Sequence, residues 1–374
     1  MADPDSHRPA PPLEATESPL AAIGYLDWSE DRGGSREGVS GSEDGACPGY
    51  NLYNSRPRTE ARLLDLEGRE AHRWQRLDQE GGWHHIELLS DLRLLVVVKD
   101  VSISCLDRDS RVLWEAHARF HHDVAPLPGG EVAALARRNH RATVSGRDLT
   151  FLEDVIVVLD EGKVVEEIGL HDHLSASVPA ERWNRIATAS APVALAKGGD
   201  GLYDVYHTNS IQAVTWQGVE AFLLSVRETD ELVVVARRDP RVLWRWGPGI
   251  LDGQHHATLL DVGGVLVFDN AVERKQSRVL LVDPETGSFK DLAPAAHFFT
   301  PTRGAAQLLP NGDLLVTESD AGHAFEIGPS GQTVWEFWNP DRRRGQRAAI
   351  YRMMRIHGQE ALAIERLLEG AGSR

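Results

Sequence analysis

Only two cysteines, Cys47 and Cys105, occur among the 374 residues. Two thiols cannot make a disulfide framework, so a reducing, cytoplasmic setting is expected. Basic residues are also scarce, 40 Lys and Arg against 56 Asp and Glu, for a formal net charge of −16. A nucleic-acid binder needs a basic footprint to displace counterions, so no nucleic-acid partner is expected. A small anionic substrate stays open, because the field inside a pocket can oppose the global sign. No run of about 18 apolar residues exists, so no membrane-spanning helix is expected. The first thirty or so residues lack the cationic start and apolar stretch of a secretory signal. Residues 1–45 have few bulky apolar side chains and are rich in Pro, Ser, Gly, Asp and Glu. Such a segment cannot offset its ordering entropy. It reads as a disordered tail in which only Ile23-Gly24-Tyr25-Leu26 could dock.

What is present is a repeat. From about residue 49, β-rich runs close on an acidic turn and often a Trp. Ala61–Gly68 leads to Trp74, Ile103–Asp107 to Trp114, and Val155–Gly162 to Val164-Val165. Leu232–Ala236 leads to Trp244 and Trp246, Val279–Gly287 to Phe289, and Ala324–Gly331 to Trp335. Apolar runs joined by Asp/Gly turns read as antiparallel hairpins. Six four-stranded units of 40–50 residues predict an all-β fold, a six-bladed β-propeller. A β-sandwich array is the competing architecture. The blade shared between the termini takes outer strands from 49–76 and its innermost strand from Ala348–Ile356, which hides the sheet edges. The expected division is a flexible tail at 1–45, the propeller at 46–358, and a short C-terminal helix or tail at 359–374. Residues 139–154 and 170–203 read as loop insertions.

Histidine marks the start of the units. Trp83-His84-His85, Phe120-His121-His122, Tyr206-His207 and Gln254-His255-His256 each precede an apolar run. The innermost strands of a propeller line its channel, so His84, His121, His207 and His255 are expected to converge there. Side chains alternate along a strand, so the first of each pair is taken to enter the channel. His85, His122 and His256 would then pack between blades or bond to turns. A single such histidine reads as structural, but four in one column point to chemistry.

Two chemistries fit. Neutral imidazoles could hold a transition metal such as Zn, Cu or Fe, with His84, His121, His207 and His255 as ligands. Alternatively a His attacks an anionic substrate while cationic groups hold the developing charge. Arg227, and after it Arg352 on the closing strand, are the candidate cations. A propeller presenting its face to partner proteins is a third, non-catalytic reading.

The residues resemble the arylsulfotransferase family. The resemblance is carried by His121-His122-Asp123, Asp154–Val158 with Asp172-His173-Leu174, His207-Thr208-Asn209-Ser210, Ser225-Val226-Arg227, Gln254-His255-His256-Ala257, Val267–Asn270, Pro310–Leu314 and Gly331–Pro340. It spans about 49–356. It implies a six-bladed propeller that moves a sulfuryl group from a phenolic sulfate ester to a phenol through a sulfurylated His, with no adenosine phosphosulfate donor and no cofactor. It also implies His255 as nucleophile, with His256 in place of the family's Thr. Arg227 and protonated His207 would hold the sulfate oxygens, and His121 would be the acid and base. His84, Asn209, His256 and Arg352 complete the set as substrate-binding candidates. Two departures stand out: His84 has no counterpart in the family's catalytic set, and His323 sits where relatives often carry Arg.

Overall fold

The computed structural model describes residues 27–42, 45–188 and 202–369. The described residues are all-β with few helices, in seven sheets. Six of these sheets carry the fold. Sheet I orders Ile350–Ile356, Tyr50–Ser55, Glu60–Leu64 and Glu70–Gln75. Sheet II is His85–Leu88, Leu94–Val98, Ser102–Leu106 and Val112–His117. Sheet III is Phe120–Pro126, Val132–Val144, Arg147–Asp160 and Lys163–Gly169. Sheet IV is Thr208–Trp216, Val219–Val226, Glu231–Ala236 and Val242–Trp246. Sheet V is His255–Leu259, Val265–Asp269, Arg278–Val282 and Phe289–Asp291. Sheet VI is Ala305–Leu308, Leu314–Glu318, His323–Ile327 and Thr333–Trp338.

Each sheet is an antiparallel meander whose middle strands are apolar on both faces. Leu94–Val98, Val265–Asp269 and Leu314–Glu318 are buried along their whole length. A strand apolar on both faces must be covered on both faces. Six apolar clusters do this, each between one sheet and the next in chain order. Tyr53, Leu315, Trp335, Phe337 and Met353 fill the cluster between sheets VI and I.

The Trp residues that end the repeats have a common task. The indole N–H of Trp74 donates to Leu92 O at 3.2 Å, from the edge of sheet I to a turn of sheet II. Trp246 reaches Gly287 O at 3.0 Å in sheet V, and Trp335 reaches Leu66 O at 2.9 Å in sheet I. A buried indole needs its N–H satisfied, and the next sheet's turn supplies the acceptor.

The first strand of sheet I comes from the C-terminal end of the chain, as expected. Met353 faces Tyr53 and Ile356 faces Tyr50 across that pair. The helix that follows, Gly358–Glu369, buries Ile364 in the cluster between sheets I and II. None of the helices described is long and apolar enough to cross a membrane.

Two expectations are corrected. Part of the supposed tail is ordered: Gly38–Ser42 adds a fifth strand to sheet VI beside Thr333–Trp338. Trp28–Glu30 pairs with Gln346–Ala348 in the small seventh sheet. Backbone hydrogen bonds to existing edges order this polar stretch without a core of its own. Ile23–Leu26 lies outside the described residues. Residues 139–154 are likewise no irregular loop. They extend one hairpin of sheet III, paired from Val132↔Leu159 to Val144↔Arg147. Its tip, Ser145-Gly146, has φ of 52° and 78°, as a tight right-twisting hairpin turn needs. After sheet III the chain forms the helices His171–Leu174 and Ala180–Thr188.

Trp83 is fully buried where sheets I and II meet. Trp83→Ala is expected to destabilise the protein by about 3–5 kcal/mol in chemical denaturation, the usual cost of emptying a large aromatic site.

Candidate active site

The heads of the inner strands are distorted in the same way. Sheets III, IV and V show a register shift at Phe120/Val124, Thr208/Ser210 and His255/Ala257. His122, His207 and His256 sit there with φ of 54°, 51° and 49°. This left-handed backbone costs a non-glycine residue about 1–2 kcal/mol, and bulges of this kind re-aim side chains. All seven histidines of these segments are buried.

The rings form a row. Tyr351 lies 4.7 Å from His84, His84 5.0 Å from His122, and His122 4.7 Å from His207, between centroids. Beside this row lies a small cavity lined by Asn209, His255, His256, Arg303, Gly304, Tyr351 and Arg352.

His255 is held in one tautomer. Its Nδ1 lies 2.8 Å from Asn270 Oδ1 and 3.0 Å from Gly253 O. The Asn270 amide is oriented because its Nδ2 donates to Thr300 O and Arg303 O at 2.7 and 2.6 Å. Both neighbours of Nδ1 are therefore acceptors, so Nδ1 carries the hydrogen and Nε2 carries the lone pair. Nε2 is buried and has no hydrogen-bond partner. Burial, and then the Arg227 guanidinium, hold the ring's pKa well below the usual histidine range. It is a neutral imidazole beside a cation.

His207 is set differently. Its Nδ1 lies 2.8 Å from Asp204 Oδ2, and its backbone N–H donates to Asp204 Oδ1 at 3.0 Å. Burial would raise the Asp204 carboxyl, but His207 and Arg137 hold it far below the carboxylate range. An ionised Asp on Nδ1 fixes the orientation of an imidazole.

Beneath the cavity, Asp123 binds Arg352 through both oxygens at 3.2 and 3.4 Å. His85 Nε2 lies 2.9 Å from Asp123 Oδ1, and the Ile211 N–H donates to Oδ2 at 3.2 Å. Burial disfavours the charged carboxyl, yet Arg352 and His85 keep it ionised to low pH.

The structure brings His84, His207, His255, His256, Asn209 and Arg352 around the row and the cavity. Arg227 is buried, acts on His255 by its charge, and pairs with Glu228 at 2.7 Å. His121 is the correction. Its Nδ1 meets His122 Nδ1 at 2.7 Å and its Nε2 faces Asp154 at 3.3 Å, so it points away from the cavity. His122 takes the place expected of it, because the bulge reverses strict alternation. His256 lines the cavity rather than packing behind it. His121 therefore does not join His84, His207 and His255, and no group of three or more His, Cys, Asp or Glu among the described residues is arranged to hold a metal ion. His323 lies between Glu318 and Glu336, 3.1 Å from each, stacked on Trp338.

The sequence profile described as Arylsulfotransferase (ASST) matches residues 85–340. The chain belongs to the arylsulfotransferase family. No curated protein matches it. Among solved structures, a protein of unknown function from Bacteroides caccae is similar over 83% of this chain and 100% of its own, at 13% identity and a TM-score of 0.56. Virginiamycin B lyase from Staphylococcus aureus covers 84% of this chain and 88% of its own, at 10% identity and a TM-score of 0.47. At these identities the likeness concerns the fold alone.

Asp204, Asn270, Arg303 and Tyr351 escaped the sequence reading as site residues of this arylsulfotransferase family member. Asp204 had a usable signal, a carboxylate three residues before a unit-start His. Asn270 follows an inner hairpin strand next to Asp269, and its amide reaches the nucleophile candidate only through the turn.

Two outcomes test this electrostatic picture. In ¹⁵N-resolved spectra His255 should appear as the Nδ1–H tautomer, neutral from pH 6 to 8; an Nε2–H signal would remove the lone pair from the cavity. Acidification should also destabilise the fold. Burial first, then neighbouring cationic groups, hold His84, His122, His255 and His256 well below the ordinary value. Below pH 6.5 the unfolded chain therefore binds more protons at these four than the native one, and stability falls as pH falls. Glu87, pushed up to about 8 by burial, and Asp230, pushed up to about 6, work the other way. A net loss of stability is expected between pH 6 and 5, read from urea midpoints.

Proposed function

We propose that this arylsulfotransferase-family chain is a closed six-bladed propeller that transfers a sulfuryl group from a phenolic sulfate ester to a phenol through His255. The ring reading of the fold is supported by six chain-ordered sheets with an apolar cluster between each and the next, including the last and the first. The observation that carries the chemistry is the buried, unpartnered lone pair of His255 Nε2 at a cavity lined with arginines.

Nε2 attacks sulfur in line with the phenolic oxygen. The S–N bond forms and the S–O(aryl) bond breaks, and the leaving phenolate takes a proton from His207. The sulfurylated imidazole keeps its Nδ1–H on Asn270 Oδ1, which supports the positive charge of the ring. A phenol then enters, gives its proton to His207, and attacks sulfur as the S–N electron pair returns to Nε2. One sulfate ester and one phenol become a new phenol and a new ester. Arg227, Arg303 and Arg352 are the cations near enough to hold the terminal oxygens, a role in which guanidinium groups give paired, charge-assisted hydrogen bonds. His207 is preferred to His121 as acid and base because it has an ionised partner on Nδ1, whereas both His121 nitrogens face other side chains.

With phenyl sulfate as donor and a substituted phenol as acceptor, His255→Ala should abolish exchange. The wild type, quenched in base after mixing with donor alone, should carry one acid-labile sulfuryl group on His255. Arg227→Ala should lower kcat by roughly a hundredfold or more, the usual effect of removing a group that stabilises transition-state charge. Exchange persisting in His255→Ala would refute the nucleophile assignment.

A further inference from the structure

His256 has no part in the exchange just described, yet a strained backbone brings it to the cavity. Its φ is 49°, at the register shift between His255 and Ala257. A residue with a side chain avoids that conformation, and strain held at a pocket points to a use for the side chain. The bend is braced by the Ala257 N–H, which donates to Ser210 Oγ at 3.1 Å. As a result His255 and His256, neighbours in the chain, both line the cavity instead of pointing to opposite sides.

The tautomer of His256 is the opposite of that of His255. The Ala306 N–H, from the first strand of sheet VI, donates to His256 Nδ1 at 3.3 Å. Nδ1 is therefore the lone-pair nitrogen, and Nε2 carries the hydrogen. Burial, and then the Arg352 guanidinium, keep the ring neutral. Among the described residues Nε2 meets no acceptor. One cavity thus holds, on adjacent residues, an imidazole that offers a lone pair and an imidazole that offers an N–H.

We infer that His256 is a further catalytic residue, whose Nε2–H donates to a terminal oxygen of the sulfuryl group. The inference rests on the sulfuryl-transfer reading and deepens it. In-line attack by His255 puts the departing aryl oxygen on the far side of sulfur, so a donor on the adjacent residue meets a terminal oxygen and not the leaving group. The terminal oxygens carry negative charge in the ester and on the sulfurylated ring alike, so one N–H orients the group before and after transfer. A neutral donor fits this place, because a second cation would be repelled by Arg352. His256 keeps its hydrogen throughout, and His207 remains the acid and base.

Two substitutions in the full-length protein separate a donor from a structural prop. His256→Gln keeps an N–H near the Nε2 position. His256→Asn keeps an acceptor for the Ala306 N–H near the Nδ1 position. With phenyl sulfate and a substituted phenol, kcat/KM should stay within about threefold of wild type in His256→Gln and fall about tenfold in His256→Asn, roughly the worth of one hydrogen bond. The reverse order, or equal rates in the two variants, overturns the role. ¹⁵N spectra of His255→Ala, where the ester is not consumed, read the ring itself. His256 should appear as the Nε2–H tautomer, with its Nε2–H signal moving downfield as phenyl sulfate binds. An Nδ1–H tautomer, or no shift at saturation, overturns the role. If the wild type exchanges no sulfuryl group, the transfer reading fails by itself, and the same spectra still judge His256 as a donor to the bound anion.

Discussion

Asp123 is the point on which the architecture of the site turns. It stands on the inner strand of sheet III, binds Arg352 from sheet I, meets His85 from sheet II, and accepts the Ile211 N–H of sheet IV. One buried carboxylate thus joins four sheets. A lone ion there would be untenable, because a desolvated carboxylate needs paired charge and filled acceptor positions. Asp123 has both, and so it fixes Arg352 at the cavity and the floor beneath His255 and His256. Asp154 and Asp204 repeat the device one level out, the first taking the Thr208 N–H at 2.6 Å and facing His121, the second orienting His207. The three carboxylates set the positions of the imidazoles by charge.

The acidic surface and the cationic interior are two parts of one distribution. Exposed acidic residues of turns, such as Asp109, Asp283 and Glu285, contribute to the net charge of −16. Arg56, Arg227 and Arg303 are buried, and Arg352 on the first strand of sheet I is half-buried. Such a distribution would repel an anion at the exterior and attract it where the guanidinium groups reach it.

The repeat was legible in sequence because its physics is local: apolar runs, Asp/Gly turns and a Trp that must donate its indole N–H. The shared sheet was legible for the same reason, since Ile350–Ile356 is an apolar strand with no partner nearby in the chain. The identity of the inward histidines was legible only in part. Alternation along a strand selects His121, but the bulge between Phe120 and Val124 adds a residue and turns His122 toward His84. Whether a strand bulges depends on a left-handed residue that here is His and not Gly, and no turn motif announces it. Arg303 and Asn270 were hidden for another reason. They come from loops whose placement is set by long-range contacts, such as Asn270 Nδ2 on the carbonyls of Thr300 and Arg303.

The same burial that makes His255 hard to protonate makes it usable. An exposed imidazole near neutral pH is partly protonated, and the protonated fraction donates from both nitrogens and cannot attack. Here desolvation and Arg227 remove the proton, and Asn270 decides which nitrogen keeps the remaining one. In the proposed transfer, attack on sulfur would put positive charge on a ring whose Nδ1–H already points at two oxygens. Arg227 disfavours a proton on that ring; in the proposed transfer the sulfuryl group would bring negative oxygens of its own, which offset that repulsion. The site disfavours the protonated ring, and under the proposed reading it would accept the sulfurylated one, which is the discrimination a group-transfer nucleophile requires.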